Sequence, residues 1–344
     1  MAQRLSQTDF AAFRNKAAQN GITFPRSVSK LALAMDSALP ALEVNGGIPA
    51  IVSTYLDPEI IRILFTPNKA TEIMGEKKKG EWAQDTIMVQ GVEVSGDVSA
   101  YGDYDESGGV QVNSNWADRQ VFRFQTMTTW GELEQQRYGL ALLPYVAEKQ
   151  RGTAQIINTA MNRFYFYGVE GLRNWGILNE PDLPAPLVPQ TNSNGKILWK
   201  DKEVIDIYND ILALYADLVA RTKGIIGDGI DMASPLKLCM SPTASVSFKR
   251  ANEIVGNTVE KMVRETFPNM KFEFAPQYDT DSGELVQMIC ESVQGQDAGY
   301  CAFNEKMRNH PVITGASSWK QKVSAATYGT VITQPMLFAQ MIGV

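Results

Sequence analysis

Histidine is almost absent from this sequence, because His310 is the only one among its 344 residues. Histidine is the commonest metal ligand and the side chain whose free pKa lies nearest neutrality. A metal site built from several histidines is therefore excluded, and a Ser-His-Asp relay would have to run through His310. Since His310 stands in an Asn-His-Pro sequence, which is typical of a turn, we interpret it as a loop histidine.

Cysteine is scarce as well, and its spacing indicates no metal or redox site. Cys239, Cys290 and Cys301 lack the C-x-x-C pattern of a zinc ribbon or a redox pair. Cys239 and Cys301 lie in apolar, strand-like runs, where a free cysteine behaves as a small buried hydrophobe. The sequence contains neither of the glycine-rich signatures G-x-x-x-x-G-K-[ST] and G-x-G-x-x-G. We therefore predict no metal and no cofactor.

Signal peptides, membrane spans and an excess of positive charge are also missing. The first seven residues lack the apolar core of a signal peptide. Residues 323–344 are uncharged, but their polar groups and Pro335 make them too polar and too broken to span a bilayer. The 32 Lys and Arg residues against 38 Asp and Glu residues give a net charge of −6, unlike a dedicated DNA reader. No membrane partner is expected.

What the sequence does contain is enough apolar material, 44%, to build a core. Glycine and proline punctuate residues 1–50, which we interpret as an extended arm, and Asp57-Pro58 opens a helix. Strand-like segments from Thr86 to about Val94 and from Gln120 to Gln125 flank a polar, glycine-rich, acidic stretch. They predict a projecting hairpin, which needs a partner surface because a two-stranded ribbon alone is marginal in water.

The longest helical pattern covers residues 130–168 and is divided by Pro144. Its second part places apolar residues on one broad stripe, which predicts a buried helix face. A proline-rich loop, 181–189, forms the clearest boundary. The pattern after it is α/β-like: helices over 202–222 and from Ser241-Pro242 to about Thr266, and strands over 236–240, 271–275, 298–303 and 319–333.

One motif has a catalytic appearance. Asn179-Glu180-Pro181 resembles the acid/base motif of retaining glycosidases with (β/α)₈ barrels, and Glu273 is the candidate second carboxyl. That chemistry needs two carboxyl groups about 5–5.5 Å apart. A barrel needs eight strand–helix alternations, whereas residues 1–170 give an arm, a hairpin and one long helix. We therefore favour a turn shaped by Asn179 and Glu180, and a glycosidase is the alternative from another functional class.

The order of elements and two local motifs resemble a known family. One motif is Gly168-Val-Glu-Gly-Leu-Arg-Asn-Trp-Gly-Ile-Leu-Asn179, which is similar to the glycine-rich turn after that family's spine helix. The other is the late strand that ends in Tyr328-Gly-Thr-Val-Ile-Thr-Gln-Pro335. With these features the chain resembles the major capsid proteins of tailed bacteriophages. Their Hong Kong 97 (HK97) fold is shared by encapsulin shells, and an encapsulin-type nanocompartment is the nearest alternative.

The resemblance implies an α+β, HK97-like capsid fold in five parts. These are an N-terminal arm with the first helix (1–80), an E-loop hairpin (81–126), a peripheral domain with a long spine helix (127–186), an axial α/β domain (187–314) and a return strand of the peripheral domain (315–344). The implied function is structural and not enzymatic. Pentamers and hexamers of the chain would form an icosahedral shell around double-stranded DNA, contacted non-specifically, in a virion assembled in the host cytoplasm.

Two departures from the family bear on assembly. Some members crosslink an E-loop lysine to a neighbouring asparagine, but residues 81–126 contain no lysine, so we expect no such crosslink. The family often carries a cleaved N-terminal scaffold segment of its own, whereas here the arm begins almost at Met1. We therefore expect a separate scaffold protein or none. Portal and decoration proteins are further expected partners.

The acidic hairpin tip is the candidate contact between subunits. We expect its acidic residues to dock onto basic residues of another chain, helped by apolar and aromatic side chains, because exposed ion pairs contribute only about 0–1 kcal/mol each. The tip residues are Asp97, Val98, Tyr101, Asp103, Tyr104, Asp105 and Glu106, and the basic candidates are Arg137, Lys149, Arg151 and Arg163.

Overall fold

The structure, a computed structural model, describes residues 67–104, 107–140, 144–192, 195–226, 235–250 and 258–344. The chain divides into two units, residues 67–137 with 144–344 and residues 1–66 with 138–143. The described part of the second unit is only the end of one helix, so the architecture below is that of the first. The predicted arm and the predicted helix at Asp57 lie outside the described residues.

The first half of the described chain contains short and long helices around a hairpin. Its elements are α1 (Ala70–Met74), β1 (Glu76–Lys78), β2 (Thr86–Asp97), β3 (Gly109–Gln120), β4 (Phe122–Gly131), α2 (Glu132–Leu140) and α3 (Tyr145–Tyr167). The predicted division at Pro144 is confirmed, because α3 starts at the residue that follows this proline. A proline fits there since it lacks the N–H that a helix interior requires.

The second half alternates helices with strands. Its helices are α4 (Val204–Arg221), α5 (Pro242–Phe248) and α6 (Val259–Thr266), with single 3₁₀ turns at Trp199–Asp201, Pro276–Tyr278 and Pro335–Leu337. Its strands are β5 (Leu236–Met240), β6 (Lys271–Phe274), β7 (Asp279–Thr280), β8 (Gly283–Cys290), β9 (Ser292–Val293), β10 (Gln296–Asp297), β11 (Gly299–Asn309), β12 (Ile313–Thr314), β13 (Ser318–Ile332) and β14 (Phe338–Ile342).

Two sheets organise these elements. In the first, the order is β1-β11-β13-β12, and β4 pairs with β13. Helix α3 packs across this sheet and buries Ile157, Met161 and Tyr165, which confirms the predicted apolar stripe. In the second sheet the order is β14-β8-β5-β6, with β7 paired to β8. Helix α4 packs beside β14, and the apolar side chains of both sheets join one core.

The scarce residues lie where the sequence predicts them. All three cysteines are free and buried, which confirms the interpretation of Cys239 and Cys301 as small hydrophobes. His310 is half-buried in the connection between β11 and β12, so the prediction of a loop histidine is confirmed. Its Nε2 lies 2.9 Å from the hydroxyl oxygen of Ser324.

The predicted second strand of the hairpin, Gln120 to Gln125, is wrong. Strand β3, which ends at Gln120, pairs with β2, whereas β4 begins at Phe122 and pairs with β13. The reason lies in the solvent exposure of β3, whose first nine residues are all exposed. A strand without a buried face is under little constraint to keep its alternation unbroken, and in β3 the polar Ser114 interrupts the apolar row between Val112 and Trp116.

The single helix predicted from Ser241-Pro242 to about Thr266 is also wrong, because α5 ends at Phe248 and α6 begins at Val259. Each helix has its own N-cap. The Ser241 hydroxyl accepts a hydrogen bond from the Ala244 N–H, and the Thr258 hydroxyl accepts one from the Lys261 N–H. Such caps satisfy backbone donors that the first turn of a helix leaves free, so Thr258 starts a new helix.

The sheets cut across two of the predicted domain ranges. Strand β11 lies within 187–314 but pairs with β13 and β1, and β14 lies within 315–344 but pairs with β8. If each strand is assigned to the domain of its sheet, residues 299–309 belong with β4 and β13 in the first sheet. Residues 338–342 then belong to the second sheet. The domain ranges themselves stay a prediction.

Candidate functional site: the β2–β3 hairpin and its base

The β2–β3 hairpin is an isolated two-stranded sheet with twelve consecutive residue pairs, from Thr86 opposite Gln120 to Asp97 opposite Gly109. Directly opposed residues in an antiparallel pair share a face, and successive residues alternate between faces. The register therefore defines an outer face, which contains Val94 and Val112, and an inner face, which contains Ser95 and Gln111.

The outer face carries a row of apolar side chains that protein atoms leave largely uncovered. Every one of them is more than half exposed, and the least exposed, Trp116, still exposes 56% of its surface. Monomeric proteins rarely leave long contiguous apolar patches in water, so such a face is typical of a contact surface. Its apolar members are Met88, Val92, Val94, Val110, Val112 and Trp116.

Among the described residues, the inner face is anchored at the base of the hairpin. Ile87 and Val89 pack against a small cluster on the first sheet that contains Tyr300, Tyr328 and Val331. Farther out, the inner face is polar, and a cleft of about 680 Å³ opens between the hairpin and the sheet. The distal part of the hairpin therefore stands away from its own subunit.

The tip residues project into solvent as the sequence predicts. Val98, Tyr101 and Tyr104 are 94%, 93% and 101% exposed, and the Tyr101 hydroxyl donates a hydrogen bond to Asp103. Asp97 ends β2, and one of its carboxylate oxygens accepts a hydrogen bond from the Val98 N–H. The predicted contact residues Asp105 and Glu106 lie outside the described residues.

A buried ion pair holds the base of the hairpin. Arg119, near the end of β3, donates to both carboxylate oxygens of Glu180 at 2.8 Å, and its guanidinium lies over the Trp175 ring. Burial raises the pKa of Glu180, and the hydrogen bond and charge of Arg119 oppose that rise. The sequence motif around Glu180 is thus a structural anchor for the hairpin.

The candidate second carboxyl of the glycosidase alternative has a partner of its own. Glu273 lies in β6, where one of its oxygens is 3.6 Å from the Lys69 ammonium group. Asn179 shapes the turn as predicted, because its side chain accepts from the Gly176 N–H and donates to the Tyr167 carbonyl oxygen. The side chains of Asn179 and Glu180 therefore both form contacts that hold distant parts of the chain together.

The turn from Gly168 to Asn179 joins the hairpin base to α3 and β13. The Asn174 side chain donates to the carbonyl oxygens of Gln120 and Thr327, which belong to β3 and β13. Gly176 is required sterically, since a Cβ there would lie 2.2 Å from the backbone of Phe166. This close approach is the physical reason for a glycine-containing turn at that place.

The four basic candidates differ in how much of their charge is available. Lys149 donates to the Thr129 carbonyl oxygen at 2.7 Å and lies 3.4 Å from a Glu134 carboxylate oxygen. Arg151 pairs with Glu148 one turn earlier on α3 at 2.8 Å. Arg137 on α2 and Arg163 on α3 are exposed. The structure does not bring these four residues into contact with the tip of the same chain in any described interaction.

The acidic charge extends beyond the predicted tip to the whole segment around the hairpin, a signal that is present in the sequence. Residues 80–118 contain eight acidic residues and no basic one, so that 32 basic and 30 acidic residues remain for the rest of the chain. The hairpin itself, residues 86–120, has six of these acidic residues and one basic residue, Arg119, so its net charge is −5, compared with −6 for the whole chain. The eight acidic residues are Glu81, Asp85, Glu93, Asp97, Asp103, Asp105, Glu106 and Asp118.

The described residues show neither a metal-binding cluster nor a membrane-spanning helix. Among them, no group of three or more His, Cys, Asp and Glu side chains is arranged to hold a metal ion. In the same part of the chain, each helix is too short or too polar to cross a bilayer.

Comparison with known proteins gives matches over most of the chain. A family model described as Pa193 gp26 major capsid protein matches residues 40–343. No curated protein matches the sequence significantly.

Three solved structures illustrate the similarity in fold. The capsid of Myoviridae phage XM1 has a TM-score of 0.70 at 14% identity, covering 88% of this chain and 100% of the other. The capsid of the native GTA particle has a TM-score of 0.58 at 8% identity, with 92% and 100% covered. The holo-SrpI encapsulin of Synechococcus elongatus PCC 7942 has a TM-score of 0.53 at 11% identity, with 86% and 94% covered. At these identities the similarity shows a shared fold.

Proposed function

This chain belongs to the Pa193 gp26 major capsid protein family, and with that membership as the premise we propose how its copies build a shell. The protein is a phage coat protein with the HK97-like capsid fold, and it acts by assembling with itself. We propose that pentamers and hexamers close into an icosahedral head around double-stranded DNA. In this function the chain needs no catalytic chemistry.

The apolar outer face of the hairpin is the observation that supports this proposal most. Six apolar side chains stand exposed on a ribbon whose contacts with the described part of its own subunit lie at the base. A two-stranded sheet is marginal in water by itself, and full burial of a valine or methionine side chain contributes about 1.5–3 kcal/mol. Docking on a neighbouring subunit would cover this face and stabilise the hairpin at the same time.

We propose that the acidic tip directs this docking. Its carboxylates, Asp105 and Glu106 included, would face basic residues of the neighbour such as Arg137, Lys149, Arg151 and Arg163. We expect Arg137 and Arg163 to attract the tip more strongly than Lys149 and Arg151 do. The charges of Lys149 and Arg151 are already partly balanced by acidic residues of their own chain. Exposed ion pairs contribute about 0–1 kcal/mol each, so the charges would set orientation and the apolar face would supply most of the affinity.

We propose that the contact is non-covalent. The residues between Lys79 and Lys149 include no lysine, so the hairpin lacks the amine that an isopeptide crosslink to an asparagine requires. The neighbours would be held instead by the accumulated surface of many identical contacts, which close on fivefold and sixfold rings.

The remaining partners and the domain roles extend the proposal. A separate scaffold protein, a portal and decoration proteins would complete the particle, and assembly would take place in the host cytoplasm. The net charge of −6 supports non-specific contact with packaged DNA and not tight binding. We propose residues 127–186 and 315–344 as the peripheral domain and 187–314 as the axial domain. If the limits follow the sheets, β11 joins the peripheral domain and β14 joins the axial domain.

Electron microscopy of the purified protein tests the proposal directly. Negative staining should show icosahedral particles or flat hexamer arrays, whereas uniform small monomers at all concentrations would overturn it. DNA in particles isolated from infected cells supports the phage function, and a packaged enzyme without DNA would instead indicate an encapsulin-type nanocompartment.

Charge reversal tests the part assigned to the tip. The triple variant Asp103→Lys, Asp105→Lys, Glu106→Lys should assemble poorly, because basic residues of the neighbour would then face positive charges. Its neutral counterpart, Asp103→Asn, Asp105→Asn, Glu106→Gln, should be affected less. Normal particles from the charge-reversed variant would reject the docking role of the tip.

A further inference from the structure

Strand β4 presents an unusual sheet edge. It pairs with β13 along one side, and among the described residues no strand pairs with its other side. Residues 124–131 of this edge contain no charged residue and no proline. Natural sheets protect free edges with lysines, prolines or bulges, because an open edge is a template for another strand. The edge of β4 lacks these protections.

The register shows which backbone groups face outward. The Glu132 N–H donates to the Ser317 carbonyl oxygen at 3.0 Å, which continues the ladder with β13 by one pair. Hydrogen-bonded and non-hydrogen-bonded pairs alternate in an antiparallel ladder, so the odd-numbered residues of β4 direct their N–H and C=O groups away from β13. These residues include Gln125, Met127 and Thr129.

Side chains already cover one end of this edge. Lys149 donates to the Thr129 carbonyl oxygen, and the Gly131 N–H donates to a Glu134 carboxylate oxygen at 3.2 Å. In the described part of the chain, no group hydrogen-bonds to the outward N–H and C=O groups of Gln125 and Met127, and both residues are exposed. The open part of the edge is therefore short and centred on these two residues.

We infer that this open edge receives a strand of the β2–β3 hairpin from a second copy of the chain, which extends the first sheet across the contact between subunits. The inference deepens the proposed function and rests on it. Both outer edges of the hairpin are free among the described residues, and the hairpin needs further strands or a packed face to be stable. Strand addition would satisfy backbone groups on both partners.

Charge complementarity supports the hairpin as the occupant. Lys320 and Lys322 of β13 lie directly opposite Thr129 and Met127, and in the described part of the chain neither lysine has a carboxylate within ion-pair distance. A strand added at the β4 edge would lie two strand spacings from β13, about 10 Å, which long side chains can span. The net charge of −5 on the hairpin, residues 86–120, fits this place, whereas two such hairpins would repel each other.

The variant Met127→Pro tests the edge itself. The Met127 N–H points away from β13, so a proline there removes no hydrogen bond of the subunit but blocks an added strand. Met127→Val is the matched control, since it keeps the N–H and an apolar side chain. We expect both variants to give folded subunits with similar unfolding midpoints, Met127→Val to assemble as the wild type does, and Met127→Pro to lose assembly.

Hydrogen exchange of the wild-type protein provides a second test that needs no variant. The amides of Gln125 and Met127 should exchange more than about tenfold more slowly in assembled particles than in free subunits. Outer-edge amides of β2 or β3 should become protected together with them. Protection at Gln125 and Met127 without protection of the hairpin would assign the edge to another segment and overturn the inference.

The failures of the two proposals are distinguishable. If the wild-type protein forms no particles, the proposed shell function fails. If the wild-type protein forms particles and Met127→Pro forms them equally well, or if the two amides exchange equally fast in particles and free subunits, only the strand addition is refuted.

Discussion

Replacing one valine of the outer hairpin face by aspartate should weaken assembly strongly without unfolding the subunit. Val94 and Val112 lie directly opposite each other and are 67% and 64% exposed, so neither contributes much to the core. In a shell, the same two side chains would be covered by a neighbour. The variant Val94→Asp therefore separates contact between subunits from folding within one.

The size of the effect follows from the exposed fraction. Full burial of a valine side chain contributes about 1.5–3 kcal/mol, so covering the exposed two thirds of Val94 contributes about 1–2 kcal/mol. Val112 would lose a similar amount if the aspartate kept its partner from packing, which gives about 2–4 kcal/mol for the pair. A loss of 2 kcal/mol weakens a contact about thirtyfold, and burial of the new carboxylate adds to this loss.

The assay compares the protein concentration at which particles first form. Sedimentation and negative staining over a dilution series should show that Val94→Asp requires at least about thirtyfold more protein than the wild type. The matched control is Ser95→Asp, which adds the same charge one residue later on the inner face opposite Gln111. Assembly of Val94→Asp at the wild-type concentration would refute the reasoning, and so would a larger defect in Ser95→Asp.

Three further predictions concern the ion pair, the thiols and the nature of the contacts. Glu180→Ala should destabilise the subunit by about 3–5 kcal/mol in urea unfolding, because it leaves the buried Arg119 charge without its partner; wild-type stability would contradict this. Burial raises the pKa values of Cys239, Cys290 and Cys301 to about 12, 11 and 12. The thiols therefore stay protonated at pH 8, where a thiol reagent should modify none of them until unfolding exposes all three. Particles boiled in detergent should give one band at 38.0 kDa, and a ladder of multimers would demonstrate covalent crosslinks.

Local patterns in the sequence predicted the long elements well. The apolar stripe of α3 and its start after Pro144 follow from helical periodicity and from the chemistry of proline, which depend on neighbouring residues alone. The burial of Cys239 and Cys301 follows in the same way from their apolar surroundings. The order of such elements was enough for the resemblance to capsid proteins.

The hairpin shows where local patterns stop being informative. Strand β3 alternates apolar and polar residues at Val110 and Val112, but Ser114 interrupts the apolar row before Trp116, and only pairing with β2 identifies the full strand. The break between α5 and α6 does have a local signal, since Thr258 is a favoured N-cap residue and its hydroxyl accepts from the Lys261 N–H three residues later. For β3 the deciding contact is absent from the local pattern, whereas at Thr258 it lies within one helical turn.

By itself, the sequence indicated the helical spine, the acidic tip of a projecting hairpin and the burial of Cys239 and Cys301. Only the tertiary structure decided that Glu180 is bound to Arg119, 61 residues earlier, and not free for catalysis. It also decided which edge of β4 stays open. The physical reason is that periodicity and capping depend on residues close along the chain, whereas partners and edges depend on which distant segments the fold brings together.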